Sequence, residues 1–337
     1  MRLSLFDYKL PQNLIAQKPA SPRDHARLLV YDRKLKKIEH KHFYDLPKYL
    51  TANDVLIFND SKVRPARLLG QKETGGKAEV LLLEPKGANW EVLVGTRNPK
   101  IGLKLTFKAG LEAEIISKLP GKTWQLKFNF RGKKFNDILF KIGQMPLPPY
   151  IHSKSKQSLL QKQYQTIYAK KLGSAAAPTA GLHFTPKLMK QIQNIGCRIE
   201  FVTLHVGLGT FDPVNTERIE DYNIHSEAIA VDKSTIHRLK KAKAEGKRII
   251  AVGTTTLRTL ETIFGYGKNK TKTQIYIYPG YKFKFVDALI TNFHLPKSSL
   301  LMLVSALVGR KQVLNVYQKA IRLKYKFFSF GDACFFK

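Results

Sequence analysis

The chain has 337 residues, of which 43% are hydrophobic, so it can bury a substantial core and is expected to be globular, with two domains. Its 58 Lys and Arg residues against 25 Asp and Glu give a formal net charge of +33, which favours a polyanionic partner such as nucleic acid. Its two cysteines lack CxxC spacing and clustered histidines, which argues against a disulfide framework or a metal site. The start of the chain has no signal core and the longest apolar run is too short to span a membrane, so we expect a cytoplasmic protein without a membrane partner.

The first half of the chain predicts one buried strand followed by a β-rich region. NDVLIFND reads as a strand that ends in polar residues. Residues 67–150 then contain short alternating segments between Gly, Pro and Asn turns, namely KAEVLLLE, NWEVLVG, LKLTFKA, LEAEIIS and TWQLKFNF. This spacing predicts a small antiparallel barrel or sandwich, which the proline-rich connector GQMPLPPYI closes.

The second half alternates between strand and helix patterns. CRIEFVTLHVG, KRIIAVG, QIYIYPG and VDALITNF are predicted strands. STIHRLKKAKAEG is a predicted helix capped by Ser234 and ended by Gly246, and further helices are predicted for TTTLRTLETIFG, SSLLMLVSALVG and VLNVYQKAIRLKY. We therefore predict an α/β main domain, residues 1–64 plus 151–337, with an inserted small antiparallel β-barrel domain, residues 65–150.

Polar residues follow four of the apolar runs, at positions 59–61, 207–210, 253–256 and 292–294. In open α/β sheets, ligands collect at the carboxyl ends of strands, so these positions are candidates for one site. In FVTLHVGLGTF, alternation places Thr203, His205 and Gly207 on one face, beside a loop with Gly209 that lets the backbone approach a ligand. The alternative is a buried histidine bonded to a neighbouring strand.

Three further motifs allow both a functional and a structural interpretation. In VGTTTLRTLE, Thr254 and Thr255 start a helix, where free amides can hold a carboxylate or phosphate, although threonines also cap helices. In IHSE, His225 and Glu227 point the same way and can share a proton, or form an ordinary surface pair. NFHLPKSSLL places His294 and Lys297 before an apolar helix, as a capped loop or as part of a site.

Basic residues concentrate where the two predicted domains meet. Lys62, Arg64 and Arg67 stand at this seam, where a groove can hold an RNA strand against phosphate-binding side chains. Most of the other lysines have the simpler interpretation of a solvated surface.

The motifs occur in a distinctive order over nearly the whole chain: NDSKVRPARL, GGKAEVLLLE, MPLPPYI, YQTIYA, GSAAAPTAGLHFT, VTLHVGLGTFDPV, IHSE, AVGTTTLRTLE, YPGYKFKFVDALITNFHLPKSSLLMLVSA and FFSFGDA. This series resembles the S-adenosylmethionine:tRNA ribosyltransferase-isomerase family of the queuosine pathway. The resemblance implies an α/β domain with an inserted β-barrel. It also implies transfer of the ribosyl portion of S-adenosylmethionine to 7-aminomethyl-7-deazaguanine at the wobble position of tRNA, giving epoxyqueuosine, adenine and methionine.

This reaction assigns expected roles to the candidate residues. His205 and His183 are the expected proton handlers, followed by Glu227 and His225, and Asp60 is expected to hold the substrate amine or ribose. The remaining candidates are expected to bind substrate. The methionine carboxylate is expected to be bound by Thr254 and Thr255, and the nucleoside by Thr179, Gly181, Gly207 and Gly209. The RNA is expected to be bound by Lys62, Arg64, Arg67 and Lys297. S-adenosylmethionine is then a consumed co-substrate, no cofactor or metal is expected, and a monomer is expected.

The chain departs from the family pattern after PLPPYI. The family carries an arginine there and an aspartate before YQT, whereas this chain has HSKSKQSLLQKQ, in which Lys154 and Lys156 are the available substitutes for the arginine. Two other functions remain open on the sequence. An RNA methyltransferase would use the same sulfonium compound but usually has a glycine-rich loop after its first strand, and a non-catalytic RNA-binding barrel protein would have no use for the glycine and histidine motifs.

Overall fold

The computed structural model describes residues 1–148, 150–151, 156–207, 214–267 and 271–337. Gly209 and Lys154 therefore lie outside the described residues. In chain order the strands are β1 Arg27–Asp32, β2 Lys37–His42, β3 Asp54–Asn59, β4 Ser61–Val63, β5 Arg67–Lys72, β6 Lys77–Lys86, β7 Asn89–Gly95, β8 Lys104–Phe107, β9 Glu112–Lys118, β10 Thr123–Phe128, β11 Lys171–Ser174, β12 Arg198–Leu204, β13 Glu227–Ala230, β14 Arg248–Val252, β15 Lys272–Thr273, β16 Ala288–Asn292 and β17 Ala333–Phe336. The α-helices are α1 Gly132–Ile142, α2 Gln157–Gln163, α3 Pro186–Asn194, α4 Lys233–Ala244, α5 Thr254–Tyr266, α6 Ser299–Val308 and α7 Arg310–Arg322.

A mixed sheet forms the centre of the larger unit, in the order β15-β13-β12-β3-β14-β16-β17-β1-β2. Its central strands β12, β3, β14 and β16 run parallel, while β17 is antiparallel to β16. Every residue of β3 is buried because Val55 and Ile57 pack into one hydrophobic cluster and Leu56 and Phe58 into another. A strand that is buried on both faces needs apolar side chains at consecutive positions, which is why VLIF does not alternate between apolar and polar residues.

The second unit is a closed antiparallel barrel of β10-β7-β6-β5-β8-β9 with its own hydrophobic core. The five strands predicted for this region are all present, and β5 completes the barrel. Phe135 and Leu139 of α1 pack into the same core. The predicted fold class, an α/β domain with a small antiparallel barrel, is confirmed, and the barrel strands fall inside the predicted boundaries of 65–150.

Two local predictions were wrong. Asp232, not Ser234, occupies the N-cap of α4, and Ser234 lies inside the helix. QIYIYPG is not a strand, because side chains take up its backbone groups: Thr273 Oγ1 accepts from the Ile275 N–H and Arg258 donates to the Ile275 carbonyl. Gly246 follows the end of α4 with φ of 74°, a left-handed conformation that glycine favours, so the predicted stop is confirmed.

Two absences concern the described residues only. No single helix there has the length and apolar composition to span a membrane, although α6 and α7 pass that test together across a bend of 112°. No group of three or more His, Cys, Asp or Glu in the described ranges is placed to hold a metal ion. Cys197 and Cys334 are both buried and unbridged.

Candidate functional site

A cavity opens where the parallel strands end, and we call it the strand-end cavity. Its volume is about 60 Å³, and it is lined by residues 176–180, 206, 253–255, 291–294, 300 and 328–329. The segments after β12, β14 and β16 all contribute, as expected for the carboxyl edge of a parallel sheet. The APTAGLHFT segment covers it, supplying Ala177 to Ala180.

The start of α5 gives this cavity an anion-binding edge. Gly253 is the N-cap with φ of 92°, and the first intrahelical hydrogen bond runs from the Leu257 N–H to the Gly253 carbonyl. The amides of the preceding helical turn, at Thr254 to Thr256, therefore have no partner within the helix. Together with the helix dipole they suit a carboxylate or phosphate.

Asn59 joins the ends of three elements behind the cavity. Its Oδ1 accepts from the backbone N–H groups of Ser61 and Leu204, at 3.1 and 3.0 Å. Its Nδ2 donates to the Leu204 carbonyl at 3.0 Å and to Thr255 Oγ1 at 3.3 Å. A fully buried amide with both ends bonded in this way fixes the β3 and β12 termini against the start of α5.

His183 is not among the residues that line the strand-end cavity, but it contacts Asn292, which does line it. The Asn292 amide nitrogen is 3.2 Å from His183 Nε2, and Asn292 Oδ1 accepts from Thr179 Oγ1 at 3.1 Å. Burial, and secondarily the charge of Arg23, lowers the pKa of His183 to about 4. The imidazole is therefore neutral near pH 7 and orients the Asn292 amide.

His294 is a buried imidazole that lines the strand-end cavity directly. Its Nε2 is 3.0 Å from Thr291 Oγ1, and its backbone N–H donates to the Tyr317 hydroxyl. Burial lowers its pKa to about 3, so it too is neutral. Two further lining residues, Phe328 and Ser329, follow the last helix, and Phe328 has a strained φ of 75°.

Asp60 and His205 face a second cavity, which we call the flank cavity. Its volume is about 430 Å³, and it is lined by Asp60, Tyr168, Lys170, Lys171, Glu200, Phe201, Thr203, His205, Ala230, Asp232, Thr235 and Arg238. Alternation along the end of β12 separates the two cavities, since His205 lines one and Val206 the other. Burial, and then the charge of Arg64, lowers the pKa of His205, while the charge of Asp60 opposes them.

Glu227 forms a buried ion pair with Arg258 of α5. Glu227 Oε1 also accepts from the Gly207 N–H at 3.1 Å, so the pair holds the end of the β12 segment against α5. His225, two residues earlier, is exposed. The two side chains that the sequence placed on one face therefore occupy different environments.

The basic candidates are only partly available to RNA. Arg67 forms a bidentate ion pair with Glu79 at 2.7 and 2.8 Å, and the Lys297 ammonium lies 2.7 Å from Asp7. Arg64 lies 4.6 Å from the Trp90 ring centroid, and burial lowers its pKa to about 10. Lys62 lies over the Phe140 ring at 5.3 Å, and Phe140 is itself exposed.

The described candidate residues divide between two cavities. Thr179, Thr254 and Thr255 line the strand-end cavity, whereas Asp60 and His205 line the flank cavity. Gly181 packs against Tyr168, because a Cβ there would lie 1.9 Å from the tyrosine hydroxyl oxygen. No sequence motif predicted a role for Asn292, Ser329 or Arg258, although the polar run 292–294 marked Asn292 as a strand end.

Comparisons with known proteins agree over the full length. The family model for queuosine biosynthesis protein matches residues 3–336. The chain is 50% identical over 340 residues to a protein of Carboxydothermus hydrogenoformans named S-adenosylmethionine:tRNA ribosyltransferase-isomerase, covering 99% of each chain. It is 37% identical to S-adenosylmethionine tRNA ribosyltransferase from Thermotoga maritima, whose crystal structure it matches with a TM-score of 0.57 over 99% of this chain and 100% of the other. The chain belongs to the queuosine biosynthesis protein family.

Proposed function

We propose that this protein transfers and isomerises the ribosyl moiety of S-adenosylmethionine onto 7-aminomethyl-7-deazaguanine at the wobble position of tRNA. The products are epoxyqueuosine in the tRNA, adenine and methionine. The observation that carries the proposal is 50% identity, over 99% of both chains, to a protein named for this transferase-isomerase activity. The net charge of +33 suits a tRNA substrate.

The strand-end cavity offers the chemistry that the methionine end of the sulfonium substrate needs. A carboxylate can accept hydrogen bonds from the amides at the start of α5, with the Thr254 and Thr255 hydroxyls beside them. The Thr179 hydroxyl, held by Asn292, adds a polar contact in this cavity, and the alanine-rich segment 176–180 adds apolar surface beside it.

The reaction begins with removal of a C5′ proton, which the neighbouring sulfonium makes acidic. Adenine then leaves and the ribose opens, the tRNA amine attacks, and the epoxide closes as methionine departs as a neutral thioether. The proton acceptor must be an unprotonated base near pH 7. His294 lines the cavity as a neutral imidazole, but a pKa of about 3 makes it a weak base, so we assign to it contact with the substrate rather than the proton. His183 positions Asn292, and Glu227 is engaged by Arg258.

The decisive experiment combines the protein with S-adenosylmethionine and tRNA that carries the precursor base. We expect free adenine and free methionine in equal amounts and a correspondingly heavier nucleoside in the tRNA digest. S-adenosylhomocysteine in place of adenine would contradict the proposal and indicate methyl transfer. Tight tRNA binding with no product of either kind would indicate a non-catalytic RNA-binding protein.

The same proposal covers the setting of the reaction. S-adenosylmethionine is consumed as a substrate and no further cofactor takes part. The protein works as a monomer in the cytoplasm, where its tRNA substrate is found. Gel filtration with light scattering at several protein concentrations tests the monomeric state, and a mass that rises with concentration would contradict it.

A further inference from the structure

The flank cavity has the size and the lining of a ligand site, yet the proposed chemistry does not use it. Its volume of about 430 Å³ lies within the usual range of small-molecule pockets, roughly 300–1,000 Å³. It combines carboxylates, cations and aromatic rings, which is the mixture that recognises a charged heteroaromatic ligand. Because His205 and Val206 face opposite cavities, its occupant would bind separately from a ligand in the strand-end cavity.

Asp60 gives the cavity a buried carboxylate with spare acceptor capacity. The side chain is buried, and Thr203 Oγ1 donates to Oδ1 at 2.6 Å. Among the described residues, this is the only hydrogen bond that the carboxylate accepts, although two oxygens offer about four acceptor positions. A ligand with two adjacent N–H donors would satisfy it.

Phe201 gives the cavity an aromatic wall. It is 36% exposed, on a strand whose following residues Val202, Thr203 and Leu204 are buried. Its ring centroid lies 5.6 Å from that of Tyr168, which lines the same cavity. An exposed aromatic face beside hydrogen-bonding groups is the usual platform on which an unpaired base stacks, worth roughly 1–3 kcal/mol per base.

Two lysines supply unpaired positive charge at the rim. Lys170 and Lys171 are exposed, and within the described ranges neither has an ion-pair partner. Arg238, by contrast, is already engaged by Glu200 in two hydrogen bonds of 2.6 and 2.7 Å. The backbone N–H groups of both lysines donate to the Asp60 carbonyl, which holds this backbone segment beside Asp60.

We propose that the flank cavity binds an unpaired guanine-type base of the RNA substrate together with its phosphate. The N1–H and the 2-amino group of such a base would donate to Asp60, its ring would stack on Phe201, and its phosphate would lie between Lys170 and Lys171. Adenine presents an acceptor at N1, and uracil has a single N–H between two carbonyls, so neither matches the carboxylate. This inference rests on the proposed function in one respect, that the substrate is RNA.

The binding test uses nucleoside monophosphates as probes on the full-length protein. By isothermal titration we expect guanosine monophosphate to bind at least about tenfold more tightly than adenosine or uridine monophosphate, from the discrimination typical of a bidentate pair. Asp60→Asn should abolish this preference, and Phe201→Ala should weaken binding of the guanosine probe. Tyr266→Ala, which removes another exposed aromatic ring, is the matched control and should change nothing.

Competition and kinetics complete the test. Saturating S-adenosylmethionine should leave guanosine monophosphate bound, and Phe201→Ala should raise KM for tRNA several-fold with kcat retained. Equal affinity for the three probes, displacement by S-adenosylmethionine, or an unchanged KM would each overturn the inference. If the protein releases adenine but shows no guanine preference, this inference alone fails. If the protein prefers guanosine monophosphate but releases no adenine, the proposed ribosyl transfer is contradicted, while the assignment of a guanine-binding site to the flank cavity is retained.

Discussion

The buried ion pair between Glu227 and Arg258 is expected to be among the most sensitive points of the fold. Both side chains are about 95% buried, at 4% and 5% exposure. Replacing Glu227 with Gln keeps the shape and leaves an oxygen for the Gly207 N–H, but it leaves the Arg258 guanidinium charged in the interior. Breaking a buried pair from one side costs about 3–5 kcal/mol, because the remaining charge has lost its partner.

A reversal experiment separates the charge effect from packing. Arg258 Nη2 already has no hydrogen-bond partner within the described part of the chain, so the arginine is an expensive group to bury even in the native protein. We therefore expect the double variant Glu227→Gln/Arg258→Met to recover at least half of the lost stability. Removing both charges also removes the need to solvate either one.

Urea unfolding followed by far-UV circular dichroism measures both variants. The control is Glu73→Gln, the same chemical change in an exposed pair whose partner Lys104 is 3.9 Å away, for which we expect less than about 1 kcal/mol. If Glu227→Gln costs no more than Glu73→Gln, or if Glu227→Gln/Arg258→Met recovers none of the stability that Glu227→Gln loses, the reasoning from burial is wrong.

The remaining predictions concern a second buried carboxylate, the histidines and Asn292. The Glu261 carboxylate accepts hydrogen bonds from the Tyr281 hydroxyl and from the backbone N–H groups of residues 284, 285 and 286. Glu261→Gln replaces one acceptor oxygen with an NH₂ donor, so it should lower the free energy of unfolding by about 2–6 kcal/mol. In the same urea assay Tyr281→Phe, which removes one of these bonds, should lower it by about 1 kcal/mol. The pKa of His183 is about 4 in the folded state and that of an unfolded histidine about 6.5. The unfolded chain therefore takes up protons first, and stability should fall by about 3 kcal/mol for this residue between pH 6.5 and 4. Urea midpoints across that range should decline less steeply in His183→Asn, and an equal slope would contradict the assignment. His294→Asn should lower adenine release while S-adenosylmethionine still binds in equilibrium dialysis, whereas full turnover would remove its role in the cavity. Asn292→Ala, which frees the Thr179 hydroxyl and His183 Nε2, should lower kcat more than it raises KM for S-adenosylmethionine in steady-state assays.

Local sequence patterns predicted most of the fold. Alternating segments with turn residues at regular spacing predicted the strands of the barrel, and the strand and helix alternation after residue 151 predicted β12, α4, β14, α5, β16, α6 and α7. The failures came where tertiary partners decided the outcome. QIYIYPG has good strand composition, but Thr273 and Arg258 satisfy its backbone and no neighbouring strand pairs with it in the described part of the chain.

The site shows a further limit of reasoning from sequence position. Adjacent residues after β12 line different cavities, His205 the flank cavity and Val206 the strand-end cavity, so nearness along the chain does not decide which cavity a residue lines. Contacts between distant segments, such as Asn292 with His183 and Asn59 with Thr255, leave no local pattern at all. The two cavities on either side of the end of β12 also differ in their chemistry. One cavity has the unbonded amides of a helix start and suits a carboxylate, while the other has a carboxylate and an exposed ring and suits a base. The two cavities therefore suit chemically different groups, although His205 and Val206, which line them, are neighbours in the chain.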